Sequence, residues 1–169
     1  MSSWCLTWLV PIAALAAASP VLAAECSQEK AIYEDRDRSY TFAFEPVGSE
    51  AAATSHHFKV TMKGNDLVLN GIVMTSDDGV TRANGMIMHK CPEGDATGAE
   101  LAACTIWEGV IYSLEGKNLI GIPPSAREDA APELLFAGLG PAFLYSSLNE
   151  SGKLPAPPWD LLTFKGCAP

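Results

Sequence analysis

The amino-acid sequence predicts a mainly β protein, a small antiparallel β-barrel or β-sandwich with one or two short helices, stapled by disulfides. Three observations carry that expectation. Turn-forming residues recur roughly every ten to fifteen positions, without the strand–helix rhythm that builds a parallel sheet. Several runs between those turns alternate apolar and polar side chains with period two. Four cysteines (Cys26, Cys91, Cys104 and Cys167) lie beyond an apolar leader-like segment, and an even count in that setting reads as disulfides.

The pattern centres on residues 84–114. Apolar runs at 86–89 and 105–114 flank a polar excursion that begins at Cys91 and ends at Cys104. Two neighbouring strands joined by a disulfide-closed loop are expected there. Of the three pairings four cysteines allow, we take Cys91–Cys104, which closes the short loop, and Cys26–Cys167, which ties the ends of the domain together. On the chain-entropy model the first contributes about 3 kcal/mol and the second up to about 5 kcal/mol.

From the N-terminus, residues 6–18 form an Ala-rich apolar run that Ser19-Pro20 breaks. Val21-Leu22-Ala23 then offers the small residues of a cleavage site. A signal peptide over 1–23 is expected, cleaved after Ala23, although no Lys or Arg precedes the run. An uncleaved anchor fits less well, because the run is weakly hydrophobic and carries Pro11. A lipid-attachment site would need a small residue where Glu25 precedes Cys26. The remaining 24–169 is the length of one domain able to bury a core.

Residues 26–38 mix charges of both signs and read as a short helix or an irregular lead-in. Residues 40–45 alternate, with Tyr40, Phe42 and Phe44 on one side, and Pro46 ends the strand. Residues 57–63 alternate again: His56, Phe58, Val60 and Met62 share one face, His57, Lys59, Thr61 and Lys63 the other. Gly64-Asn65-Asp66 turns the chain. Residues 67–75 are apolar on both faces, as in a central strand, and Gly71 within them signals a bulge or a close backbone approach. Asp77-Asp78-Gly79 is the next turn, and 80–90 returns with either a kink or a second turn at Asn84-Gly85.

Thr97 and Glu100 have capping-box spacing, so a helical turn is expected inside the disulfide loop. Residues 105–115 are the strongest strand, and Gly116-Lys117-Asn118 turns it into a short strand at 119–122. Ser125 and Glu128 predict a second capped helix near 126–131. Residues 133–148, interrupted by Gly138, Gly140 and Pro141, read as two short strands, and 159–165 as the last strand. Trp107 and Trp159 are expected in the core.

All 11 Lys and Arg and all 20 Asp and Glu lie beyond the leader, giving a net charge of −9. That field repels phosphate backbones and anionic lipid, so nucleic acid is excluded as a partner, and no second segment is long enough to span a membrane. A basic protein, an envelope component or a small-molecule ligand is compatible with it.

No Gly-x-Ser-x-Gly elbow, HExxH pair or phosphate-cradling glycine loop is present. No CxxC occurs and no histidine stands at zinc-ligand spacing from a cysteine, so neither metal nor cofactor is expected. The loop also lacks the ordered acidic pattern of a calcium site. His56 and His57 are adjacent on a strand and face opposite ways, so they cannot chelate one ion.

The candidate chemistry lies at the mouth of the disulfide loop. His89 and Glu108 could meet there as acid and base if the two strands pair across the bridge. Glu93, Asp95 and Glu100 add carboxylates. Arg82 and Asn84 could hold a ligand carboxylate or pair with Asp77 and Asp78. The reading that follows is an exported, periplasmic or secreted, binding or envelope-associated domain whose surface includes Arg82, His89, Asp95 and Glu108. A small hydrolase or lyase using His89 and Glu108 is the alternative, and an inhibitor or structural envelope protein presenting Trp159 is the third.

Overall fold

The computed structural model describes residues 26–48, 53–76, 79–92, 94–115 and 118–169. The expected signal peptide over 1–23, four residues of the expected turns (Asp77, Asp78, Gly116 and Lys117) and Glu93 lie outside the described residues.

After a 3-10 turn at Gln28–Lys30 come β1 (Ala31–Asp35), β2 (Tyr40–Glu45), β3 (Thr54–Met62), β4 (Asn65–Ser76), β5 (Arg82–Met88), α1 (Gly98–Cys104), β6 (Thr105–Glu115) and β7 (Asn118–Gly121). The chain continues through β8 (Glu133–Phe136), α2 (Leu139–Leu144), α3 (Ser147–Glu150) and β9 (Leu161–Cys167). Every strand pairing is antiparallel. The sheet runs β5-β4-β3-β2-β1-β9-β8-β6, and β5 pairs β6, so the eight strands close into a barrel. β7 is a hairpin strand on the outer part of β6. The order is a meander, each barrel strand lying beside its sequence neighbours, and β9 returns to β1.

Period-two alternation sets what faces inward. Cross-strand partners place Phe44, Phe58, Gly71, Ile87 and Trp107 in one inner row around the wall. Phe164, Tyr33, Phe42, Val60 and Leu69 form another. The interior is packed with rings: Phe42, Phe58 and Trp107 each meet Phe136, and Phe44 stacks on Phe58 at 5.2 Å. Glycine appears where a ring must pass. A Cβ on Gly71 would overlap the Phe58 ring, so the signal read in the sequence is a close approach. Gly85 and Gly109 are cross-strand partners, and Trp107 lies against both, with Cβ positions 2.8 Å and 2.7 Å from its ring. Gly85 is therefore neither a kink nor a turn, and β5 runs through it unbroken.

Both ends of the barrel are closed. At one end the single Tyr33 O–H is shared between Gln28 Oε1 and the Ala131 carbonyl, while His56 Nε2 meets the Pro124 carbonyl at 2.9 Å. The Cys26–Cys167 disulfide ties the termini there. At the other end Leu139, Phe143 and Leu148 of α2 and α3 are buried, and the Phe143 ring meets Tyr40 edge-on. Burial pushes the Tyr40 hydroxyl up to about 12, and Asp35 adds to the shift.

Four further expectations are corrected. Residues 31–35 form a strand, not a helix or lead-in. Its inward positions are Ala31, Tyr33 and Asp35, and the terminal charge hides the alternation. The second capping box makes a turn, not a helix: Ser125 and Glu128 bond each other, but the Ala126 and Glu128 carbonyls accept from Glu29 and Gln28 instead of propagating a helix. Residues beyond β8 form α2 and α3 instead of a strand, because Gly138 turns left-handed at φ 75° and Asp160 accepts from the Gly138 and Gly140 amides. β4 is buried on one face only, since Val68 on its outer face is 44% exposed. The capped helix α1 and both disulfides are as expected, and three short helices form where one or two were expected.

Candidate functional site

Among the described residues, a pair of outer-wall concavities lies near the end closed by α2 and α3. The smaller, about 620 Å³, is lined by Asn65, Asp66, Val68, His89, Lys90 and Lys153 among others. β5 ends just before His89, whose backbone N–H donates to the Cys104 carbonyl at 2.9 Å, so the disulfide and the ladder fix its position together. Burial holds the His89 imidazole below its ordinary pKa. Lys90 and Lys153 push the same way, and the Val68 carbonyl opposes them.

The residues singled out from the sequence do not converge. The β5–β6 register sets Glu108 opposite Met86, three residues along the strand from His89, a separation of roughly 10 Å. The charges that act on the imidazole are cations. Arg82 begins β5 and pairs with Ser76, at the end of the strand remote from His89. Asp95 is exposed in the disulfide loop. Glu100 is engaged as the reciprocal member of the capping box with Thr97, which lowers its pKa. Trp107 is in the core, as expected, with its indole donating to the Ala137 carbonyl. Trp159 is not: it precedes β9, is 46% exposed, donates to Asp37 and lies under the Arg36 guanidinium at 4.8 Å.

The larger concavity, about 860 Å³, was not anticipated from the sequence. It lies over β9, β1, β2 and β3 and is lined by Glu34, Arg36, Arg38, Lys63 and Lys165, with Thr41, Thr61 and Thr163 on its floor. Cross-strand partners put Thr163, Glu34, Thr41 and Thr61 in one row on the outer face. Glu34 is ion-paired with Lys165. Asp35 is buried and accepts from the Ser39 and Tyr40 amides, which shapes the β1–β2 turn. Among the described residues Arg38 and Lys63 have no ion-pair partner.

Backbone conformation links the two concavities. Among the described residues, two non-glycine residues have left-handed backbone, Arg38 at φ 54° and Lys90 at φ 53°. Each lines one of them. The Arg38 amide closes a turn onto the Asp35 carbonyl, and Arg38 ends that turn in the left-handed conformation where glycine is favoured. A side chain there costs about 1 kcal/mol. At comparable left-handed positions, Gly64 and Gly138, the chain uses glycine. This is the signal a sequence reading could have used: a DRDR hairpin turn with no glycine.

Among the described residues no group of three or more His, Cys, Asp or Glu is placed to hold a metal ion, and no helix is long and apolar enough to cross a membrane. The chain matches no protein-family model, and neither a curated protein nor a solved structure matches it.

Proposed function

We propose that this protein is an exported binding domain, working in the periplasm or outside the cell, that takes its ligand on the outer wall of the barrel. One observation carries the reading: the interior is filled by contacting aromatic rings, while two outer concavities each contain a cation held in left-handed backbone. Non-glycine residues in strained conformations cluster where side chains are used. An eight-stranded barrel is just wide enough for its own side chains or one small ligand, and here bulky rings occupy that space. Two disulfides support an oxidising compartment. The alternative of acid–base catalysis by His89 and Glu108 draws no support from the β5–β6 register.

Native mass spectrometry of the exported protein, purified without denaturation, gives the mass of any retained ligand. The discriminating step compares variants. Arg38→Gly or Lys90→Gly is expected to weaken binding of that ligand at least tenfold, equivalent to about 1.4 kcal/mol. Phe58→Leu, in the core, is expected to lower the melting temperature and leave affinity unchanged well below it. The reverse result, with affinity following the core residue and ignoring both wall residues, places the ligand inside the barrel and ends the outer-wall reading.

A further inference from the structure

We infer that the larger concavity is a binding site for an acidic carbohydrate, an oligosaccharide bearing carboxylate or sulfate groups. This rests on the outer-wall reading and names the ligand of one of its two concavities. Arg36, Arg38, Lys63 and Lys165 line the site, four of the molecule's eleven Lys and Arg, in a chain of net charge −9. Its two carboxylates are already engaged, Glu34 by Lys165 and Asp35 by the turn amides. Arg38 and Lys63 remain as cations without an ion-pair partner among the described residues. A guanidinium binds a carboxylate or sulfate through paired N–H donors.

The floor supplies the second half of the recognition. The hydroxyls of Thr163, Thr41 and Thr61 lie in one outward row across β9, β2 and β3, with Glu34 between the first two. Adjacent strands are about 4.8 Å apart, so the row repeats on the scale of a sugar ring and offers groups that both donate and accept. Trp159, half-exposed, lies under the guanidinium of the lining residue Arg36 and so places an aromatic ring next to the site. An acidic peptide fits less well. Each of β9, β1, β2 and β3 is paired on both sides, which leaves no free edge for a peptide backbone to bond. A nucleic acid meets the same cations, but it must bring its phosphates to a strongly acidic molecule and makes little use of a hydroxyl row.

The test is isothermal titration of the oxidised protein, at low and at physiological salt. The probes are a heparin-derived octasaccharide, an oligogalacturonate, a neutral malto-oligosaccharide and a single-stranded oligodeoxynucleotide. One or both acidic sugars are expected to bind, at least tenfold tighter than the neutral sugar and the oligonucleotide, with a change in Trp159 fluorescence. Arg38→Gly and Lys63→Gln are each expected to weaken that binding at least tenfold, while the melting temperature of Arg38→Gly is unchanged or raised. Lys90→Gly is expected to leave it unaltered. No binding of either acidic sugar, equal binding of the neutral sugar, or equal binding of the oligonucleotide overturns the assignment. If Lys90→Gly abolishes binding and Arg38→Gly does not, this site is wrong while the outer-wall reading stands. If neither wall variant matters and Phe58→Leu does, both fail.

Discussion

Gly71→Ala tests how tightly the barrel interior is filled. The hydrogen that becomes a methyl group points at the ring of Phe58, its cross-strand partner, and an ideal Cβ at residue 71 overlaps that ring. The ring has nowhere to go. Phe44 stacks against it at 5.2 Å, Phe136 meets it edge-on at 5.6 Å and Phe42 lies 6.1 Å away, all buried. In an exposed strand the same change would help slightly, since alanine loses less backbone entropy than glycine. Here overpacking costs about 1–3 kcal/mol, and confinement on three sides argues for the upper part of that range. For a domain of this size, about 2–3 kcal/mol lowers the melting temperature by roughly 6–12 °C.

The assay is thermal and urea unfolding of wild type, Gly71→Ala, Phe58→Leu and the double variant. Phe58→Leu alone opens space and costs about 1–3 kcal/mol. In the double variant the new methyl enters that space, so the two losses are expected to fall short of additivity by about 1 kcal/mol or more. Additive losses, or a Gly71→Ala variant that melts within about 2 °C of wild type, would show that the ring is not confined as described.

Two further outcomes are expected. His56 is buried between Ser55 Oγ and the Pro124 carbonyl, and burial lowers its pKa, with Pro124 and Glu29 opposing. The unfolded chain therefore binds the proton more readily than the fold. Stability is present above about pH 6.5 and declines as pH falls through that value toward the folded pKa, by at most ~1.4 kcal/mol per pH unit for one proton. His89 shifts the same way. His56→Gln, which can still donate to Pro124, is expected to flatten the pH dependence of urea unfolding between pH 7 and 5, and an unchanged slope refutes the assignment. Asp160→Ala removes the acceptor of the Gly138 and Gly140 amides and is expected to cost about 1–2 kcal/mol. Hydrogen exchange should accelerate in α2 and α3 before the strands; uniform acceleration would mean that these helices unfold only with the barrel.

Strands with one clean apolar face were legible. β2 and β3 alternate Phe, Val and Met with Thr, Lys and Ala, and their inner faces are those the sequence marks. Both disulfides and α1 were legible from simpler signals, the even cysteine count beyond the leader and the local Thr97–Glu100 box. What failed was whatever another segment decides. Half of the Ser125–Glu128 box is made, the Glu128 carboxylate accepting from the Ser125 amide, yet the 3-10 turn at Gln28–Lys30 claims the carbonyls a helix would need. α2 depends on Asp160, a carboxylate twenty residues downstream of Gly140. The barrel register separated His89 from Glu108, and register is fixed by which face is buried, which no pair of residues reveals alone. The larger concavity joins the sequence-consecutive β1, β2 and β3 to β9, which reaches β1 only when the end of the chain returns to the sheet.

Closure also bears on where a ligand can sit. A barrel of eight strands encloses little more than its own side chains, and this one spends that volume on Phe42, Phe44, Phe58, Trp107 and Phe136. Removing such a ring to admit a ligand costs about 3–5 kcal/mol, a large part of what a domain of this kind has. Charging the outer turns costs less. Arg38 bears about 1 kcal/mol of backbone strain, in a turn held by two hydrogen bonds from the Ser39 and Tyr40 amides to the Asp35 carboxylate. Lys90 bears the same strain beside the Cys91–Cys104 crosslink, which contributes about 3 kcal/mol by restricting the unfolded chain. Each strained cation thus sits where a local brace offsets its cost. If the strain were incidental, Arg38→Gly and Lys90→Gly would each raise stability and change nothing else, and that result would leave the outer wall without a function to explain its shape.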